Sequence, residues 1–264
     1  MTVLHLADEG EAADLAAFLS RLLHYDRSAA VRVQSAGTTL AVFGRPPSFE
    51  VLAIRAVRLA KPYENGLNST LDVTVSAGEL LESVDETAAT ATVPRSVTGP
   101  PWAGVLPPRG GWRPEPGLPG PEALFALVRA AVAEFKARTQ ELAPERRIRA
   151  ELDRMGREIW SRTVGDTGLP VRAVHAAQSL GFLRPGAPGA PGAPGVPGVP
   201  GVPGVPGAPG VPDASGALRA PGGPASGDIA LFASGTWLRL RTAYGSVAVR
   251  RVGATPGTFG LSVR

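Results

Sequence analysis

GAPGAPGAPGVPGVPGVPGVPGAPGVP, residues 186–212, is nine uninterrupted Gly-x-Pro triplets in which x is only Ala or Val. Its reading decides how the chain is assembled, because apolar periodicity stops before it and resumes after it. Gly at every third place is what a collagen triple helix demands, since only Gly fits at the axis where three polyproline-like chains meet. Against a triple helix stand the shortness of the run, the lack of charged residues within it to set register, and the lack of an adjoining heptad segment to nucleate a trimer. A Pro-rich stretch is otherwise an extended spacer at about 3.1 Å per residue, so this one reaches on the order of 80 Å when straight. Each Pro-Gly pair also suits a type II turn, which shortens it. A spacer in a monomer is expected, with a collagen-like trimer as the alternative. Low-complexity composition spreads around the run over 184–227 and packs no core.

Upstream of the run, residues 121–183 read as helices. In 122–140, Phe125, Val128, Val132 and Phe135 recur at helical spacing, and in 145–162 Ile148, Leu152, Met155 and Ile159 do the same, with Pro144 at the joint. The second of these helices carries six Arg, but Glu145, Asp153 and Glu158 each precede an Arg by four residues, which neutralises the face locally. Pro170 suits the first turn of a third helix ending near Leu180-Gly181, with Arg172, His175, Gln178 and Ser179 as its polar stripe. Downstream, residues 228–264 hold four alternating segments, at 229–232, 237–241, 246–251 and 258–263. Four strands with hardly any helix cannot bury both faces. They are expected to pack on the helices of 121–183 or to join a sheet further upstream, which makes the triplets an insertion in a surface loop, and long insertions cost little loop entropy.

That upstream sheet lies in an N-terminal α+β unit, residues 1–84. A strand at 3–6 leads to Asp8, with Glu11 three places on in a capping box, and a helix whose apolar set is Leu15, Phe18, Leu19, Leu22 and Leu23. Period-two segments follow at 31–35, 39–43, 50–59 and 71–75, with a turn at Ala36-Gly37, a break at Pro46-Pro47 and a loop over 61–70. Ser76 and Glu79 form a second capping box opening a short helix. Over 85–120 the periodicity fades into a Pro/Gly-rich loop, apart from an edge strand at 88–93. Trp102 and Trp112 stand in Pro-Pro-Trp and Gly-Gly-Trp-Arg-Pro settings there, as anchors to the core or as receivers of a partner. A loop this long counts against one tightly wound unit. The expected fold class is α+β: antiparallel sheet, a helical hairpin and a third helix, interrupted by the Gly-x-Pro insertion.

Composition narrows the function. The chain has 264 residues and no Cys, so disulfide frameworks and thiolate metal sites are excluded. No 18-residue apolar stretch and no basic-then-apolar leader is present, so a cytoplasmic protein without membrane contact is expected. Charge is uneven: ten basic against thirteen acidic residues over 1–120, eleven against eight over 121–185, and six against two over 186–264. Twenty-five of the 27 basic residues are Arg, an excess that GC-rich codons also produce.

Catalytic motifs do not emerge. His5, His24 and His175 are far apart, and the sequence shows no His-Glu-x-x-His, Walker or Gly-x-Gly-x-x-Gly motif and no nucleophile elbow. No enzyme activity, cofactor or metal is expected. Arg172, His175 and Gln178 on one helix precede a hairpin carrying Trp237, Arg239 and Arg241, with Arg250 and Arg251 on the next strand. That order resembles a winged helix, which implies a recognition helix in the major groove and a basic hairpin on phosphate. Its low motif content and the roughly 45 residues between helix and hairpin depart from that pattern. The expected function is therefore non-catalytic binding of a protein partner, with a DNA-binding regulator using Arg172, His175, Arg239 and Arg241 as the alternative.

Overall fold

The computed structural model describes residues 2–60, 71–184 and 229–251. The Gly-x-Pro run, the loop expected over 61–70 and the strand expected over 258–263 lie outside the described residues. Within them the chain is α+β, and every strand pairing is antiparallel. No helix among them is long and apolar enough to cross a membrane.

Strand β1 (Thr2–His5) runs into helix α1 (Glu9–Tyr25), where Asp8 accepts from the Glu11 N–H at 2.8 Å. Only this half of the expected capping box forms, because the Glu11 carboxylate is taken by two arginines described below. Leu15, Phe18, Leu19 and Leu22 are all buried on one side of α1, each contributing about 1.5–3 kcal/mol of transfer free energy. Strands β2 (Ala30–Ala36), β3 (Thr39–Gly44), β4 (Leu52–Arg58) and β5 (Asp72–Ser76) follow the period-two segments closely. A turn at Gly37, which adopts φ 57°, joins β2 to β3, and a short 3₁₀ turn, Pro47–Phe49, stands at the Pro-Pro break. Ser76 caps α2 (Ala77–Glu82) as expected, accepting from Glu79 N–H at 3.3 Å.

The expected edge strand at 88–93 is instead a central one. Strand β7 (Thr90–Val93) lies between β1 and β6 (Val84–Asp85) in a three-stranded sheet, with Ala91 fully buried. The Pro/Gly-rich stretch after it is a strap. Val97 N–H donates to Thr74 O on β5 at 2.9 Å, Arg32 Nη1 holds Ala103 O at 2.6 Å, and the stretch ends in β8 (Arg113–Pro114). Its length is thus spent crossing a sheet face from one edge to the other.

Helices α3 (Pro121–Glu141) and α4 (Arg149–Trp160) form the expected hairpin around a 3₁₀ turn, Pro144–Arg146. Helix α4 starts after Ile148, which is 58% exposed and does not join the apolar face. Ion pairs cross the hairpin: Arg138 of α3 binds Glu158 at 2.9 and 3.0 Å, and Arg162, just past α4, binds Glu134 of α3 at 2.7 Å. Glu158 also approaches Arg162 at 3.7 Å, whereas within α4 Asp153 pairs with Arg149 rather than with Arg157, and Glu151 pairs with Arg154. Helix α5 (Val171–Ser179) packs on α3 and α4 and on β11 (Gly245–Arg250). Gly181 closes it at φ 72°, and Phe182 then lies over Gly245, where a Cβ would sit 2.6 Å from the ring.

Strands β9 (Ala230–Ser234), β10 (Trp237–Thr242) and β11 do both things foreseen for them. They pack on the helices, and they join the upstream sheet. The order is β5-β2-β3-β4-β11-β10-β9-β8, closed at its centre by three residue pairs, Ile54 with Ser246, Ala53 with Val247 and Leu52 with Ala248. One apolar core runs under the whole sheet, from Leu15 and Val33 through Val174 to Leu238 and Val249. Beside the join, buried Arg55 donates through Nη2 to Glu11 at 3.0 Å and Asp14 at 3.1 Å, and through Nη1 to Tyr244 O at 2.7 Å. Arg58 Nε adds a bond to Glu11 at 2.7 Å, and Arg184 reaches Asp14 at 3.2 Å while its guanidinium lies 3.7 Å from the Tyr244 ring centroid.

Removing one partner of a buried ion pair strands the other. Arg55→Ala should therefore lower unfolding free energy by about 3–5 kcal/mol, whereas Arg58→Ala, at a site 69% exposed, should cost under about 1 kcal/mol. Urea titrations of the two variants check this, and equal midpoints would remove Arg55 from its role at the join.

Candidate functional site

The strap turns once as a 3₁₀ segment, Pro101–Gly104, whose Pro-Pro start fixes the backbone and leaves Trp102 partly buried. Trp102 packs with Leu106 and Trp237 on a second apolar cluster of Phe43, Leu52, Ile54 and Ala248, on the sheet face away from α1. Where β4 begins and β11 ends, this packing leaves a cleft of about 440 Å³, lined among others by Arg45, Arg172, Arg250, Glu50, Trp102 and Trp237. That size suits a small ligand or one or two side chains of a partner.

Each cation is placed by local structure. Arg45 directly precedes the Pro46-Pro47 break, and Arg172 lies in the first turn of α5. Arg250 ends β11 with its guanidinium 5.1 Å from the Trp237 ring centroid. Among the described residues Arg45 and Arg250 make no ion pair. Arg172 Nε lies 3.9 Å from Glu50 Oε2, too far for a hydrogen bond, and is buried without a hydrogen-bond partner. Glu50 itself ends the 3₁₀ turn in the left-handed region, φ 52°, a conformation that costs a non-Gly residue free energy and recurs at ligand sites.

A second cleft of about 730 Å³ abuts the first and shares Arg45 and Trp102 with it. Its other walls are mixed: Asp26, Ser28, Ser76 and Thr98 stand among apolar residues such as Ala30 and Val97. Asp26 is already engaged, accepting from the Ser28 N–H at 2.9 Å and the Ser28 hydroxyl at 2.7 Å. The two clefts together follow the flank of the strap.

Of the residues singled out in the sequence, the structure brings Arg172, Trp102, Trp237 and Arg250 into this site and leaves His175, Gln178, Arg239, Arg241, Trp112 and Arg251 outside it. His175 is no solvated stripe residue. It is stacked on Trp160, centroids 4.6 Å apart, and meets Phe49 edge-on at 5.1 Å. Gln178 Oε1 is buried without a partner. Arg239 faces the Trp112 ring at 5.9 Å, and its pKa is pushed below the usual guanidinium range by burial and, secondarily, by the charge of Arg241. Arg241 lies over Phe232 at 5.1 Å, and Trp112 donates its indole N–H to Pro108 O at 2.9 Å. The helix-and-hairpin order also departs from a winged helix: α5 is packed under the sheet, and the hairpin continues into β4. Arg45 and Glu50 went unread because a lone Arg and a lone Glu beside a Pro-rich break carry no spacing signal; Arg250 reads in the sequence only as part of a basic strand, and the β4–β11 join is what places it near them.

Burial also pushes the His175 pKa below its ordinary 6.5. The unfolded chain therefore takes the proton first as pH falls, so the contribution of this group is complete above about 6.5 and is lost progressively below it. His175→Phe, which keeps a ring in the stack, should flatten the decline in unfolding free energy between pH 7.5 and 5. Identical pH slopes for the variant and the parent chain in urea titrations would count against a neutral buried imidazole.

No curated protein and no solved structure matches the chain. Residues 1–104 match the family described as Domain of unknown function (DUF8010), and residues 107–254 match Domain of unknown function (DUF8185). The two matches meet within the strap, and each covers one half of the eight-stranded sheet. With the second match spanning more than half of its length, the chain belongs to the DUF8185 family.

Proposed function

We propose that the protein is a non-catalytic cytoplasmic binding protein, monomeric, with the Gly-x-Pro run as a spacer and the paired clefts beside the strap as the seat of a protein partner. The observation that supports this reading most is the pair of abutting clefts sharing Arg45 and Trp102. Together they suit an extended peptide segment better than a compact small molecule. Ser28, Ser76 and Thr98 offer hydrogen bonds along one part of the path. At its other part three arginines face a single carboxylate, Glu50, so the segment carries negative charge there.

A DNA-binding regulator is the second reading, supported by Arg239 and Arg241, which share one face of β10 with Trp237. The paired clefts weigh toward the peptide, because Asp26 and Glu50 in their walls repel a continuous phosphate backbone. Titration of labelled random decapeptide pools, acidic, neutral and basic, beside a random-sequence 20-base-pair duplex, separates the readings by fluorescence anisotropy. The acidic pool should bind most tightly, and Trp102→Ala should weaken it by about thirtyfold, the cost of losing an aromatic anchor. Duplex binding that exceeds the acidic pool and falls steeply with salt favours the regulator, and no binding to any probe removes both.

A further inference from the structure

The seam cleft carries more positive charge than one carboxylate needs. Arg45, Arg172 and Arg250 line it with Glu50 as the only acid, and Glu50 stands too far from Arg172 Nε to satisfy it. Arg250 is held at the cleft by the Trp237 face, which fixes a guanidinium plane without neutralising it. Three guanidinium groups present planar forks of donors that match tetrahedral oxyanions with two or more acceptor oxygens, and a phosphate monoester supplies three oxygens and close to two negative charges near neutral pH. Trp102 and Trp237 line the same cleft and give apolar surface to the chain on which such a group is carried. The second cleft, where Ser28, Ser76 and Thr98 offer polar groups, continues the path from Arg45, which both clefts share.

Resting on the peptide reading above, we infer that the seam cleft is a phosphoresidue seat: Arg45, Arg172 and Arg250 grip the phosphate of a phosphorylated side chain whose flanking residues lie along the strap into the second cleft. Glu50 is then the group that the phosphate displaces from the neighbourhood of Arg172. Its charge offsets part of the mutual repulsion of the three arginines in the empty site and opposes weakly charged segments.

The test uses the full chain and three decapeptide pools, random at the flanks and fixed at the centre as Ser, Glu or phosphoserine, with inorganic phosphate as competitor. The phosphoserine pool should bind about tenfold or more tightly than the Glu pool, as expected for several added charge-assisted hydrogen bonds. Arg45→Ala and Arg250→Ala, both at exposed positions, should each erase most of that increment, read as the ratio of phosphoserine-pool to Ser-pool affinity. Glu50→Gln should strengthen phosphoserine binding by roughly two- to fivefold, the size of an exposed ion-pair effect. Equal binding of the Glu and phosphoserine pools overturns the phosphate seat and leaves the peptide groove standing. Failure of all three pools overturns both. Phosphoserine alone binding as tightly as its pool keeps the phosphate seat and overturns the peptide groove. Displacement of the phosphoserine pool by random duplex DNA at lower concentration than by the unlabelled pool assigns the phosphate to nucleic acid and overturns the proposal.

Discussion

The guanidinium of Arg55 is the point on which the two halves of the molecule turn. It stands on β4, is almost wholly buried, and divides its donors between Glu11 and Asp14 on α1 and the carbonyl of Tyr244 in the β10–β11 turn. Strand pairing across the same line is only three residues long, so hydrogen bonds of the ladder alone would give a weak hinge. A buried ion cluster is a poor source of net stability, because desolvation offsets most of the attraction. Its effect is on geometry. An Arg held by three acceptors from two halves of the chain leaves few ways for those halves to dock, and its own Nε is left unpaired in the process.

With that docking set, the shared core follows. The apolar sides of α1 and α5 both face the sheet, one against β4 and the other against β11, and α3 and α4 cover α5 in turn. The burial of α5 explains why its polar residues have unusual surroundings. His175 lies between two rings and Gln178 keeps an unpaired oxygen, positions that a free recognition helix would not impose. Arg172, at the end of the helix and at the sheet's end, is the one member of that stripe left facing a cavity.

Much of this was legible from local chemistry. The Asp8 and Ser76 caps, the strands of the first 60 residues, the Pro144 joint and the α5 boundary all rest on neighbours two to four places apart, and each appears close to where it reads, although only the Asp8 half of the first box forms. The contact between Arg55 and Tyr244 spans 189 positions, and no periodicity reports a contact at that range. Similarly, 88–93 reads as an edge strand, the one periodic piece of a stretch where periodicity fades, yet β1 on one side and β6 on the other cover it. The candidate cleft was legible by halves. Trp102 drew attention by its setting and Arg172 by its stripe, but Arg45 and Glu50 acquire meaning only when a turn 120 or more residues upstream is brought beside α5.

The strap touches both borders of the large sheet. It bonds β5 through Val97 and pairs with β9 through Arg113 and Pro114. Open borders of antiparallel sheets are templates on which further chains can add strand by strand. Here the far border ends in a two-residue strand of which one member is a proline, with no amide hydrogen to offer, and the near border has Val97 laid against it. A single Pro-rich passage thus shields an eight-stranded sheet from self-association at either end, so a change that loosened the passage at Trp102 would be felt first as fibrous or amorphous aggregation rather than as unfolding.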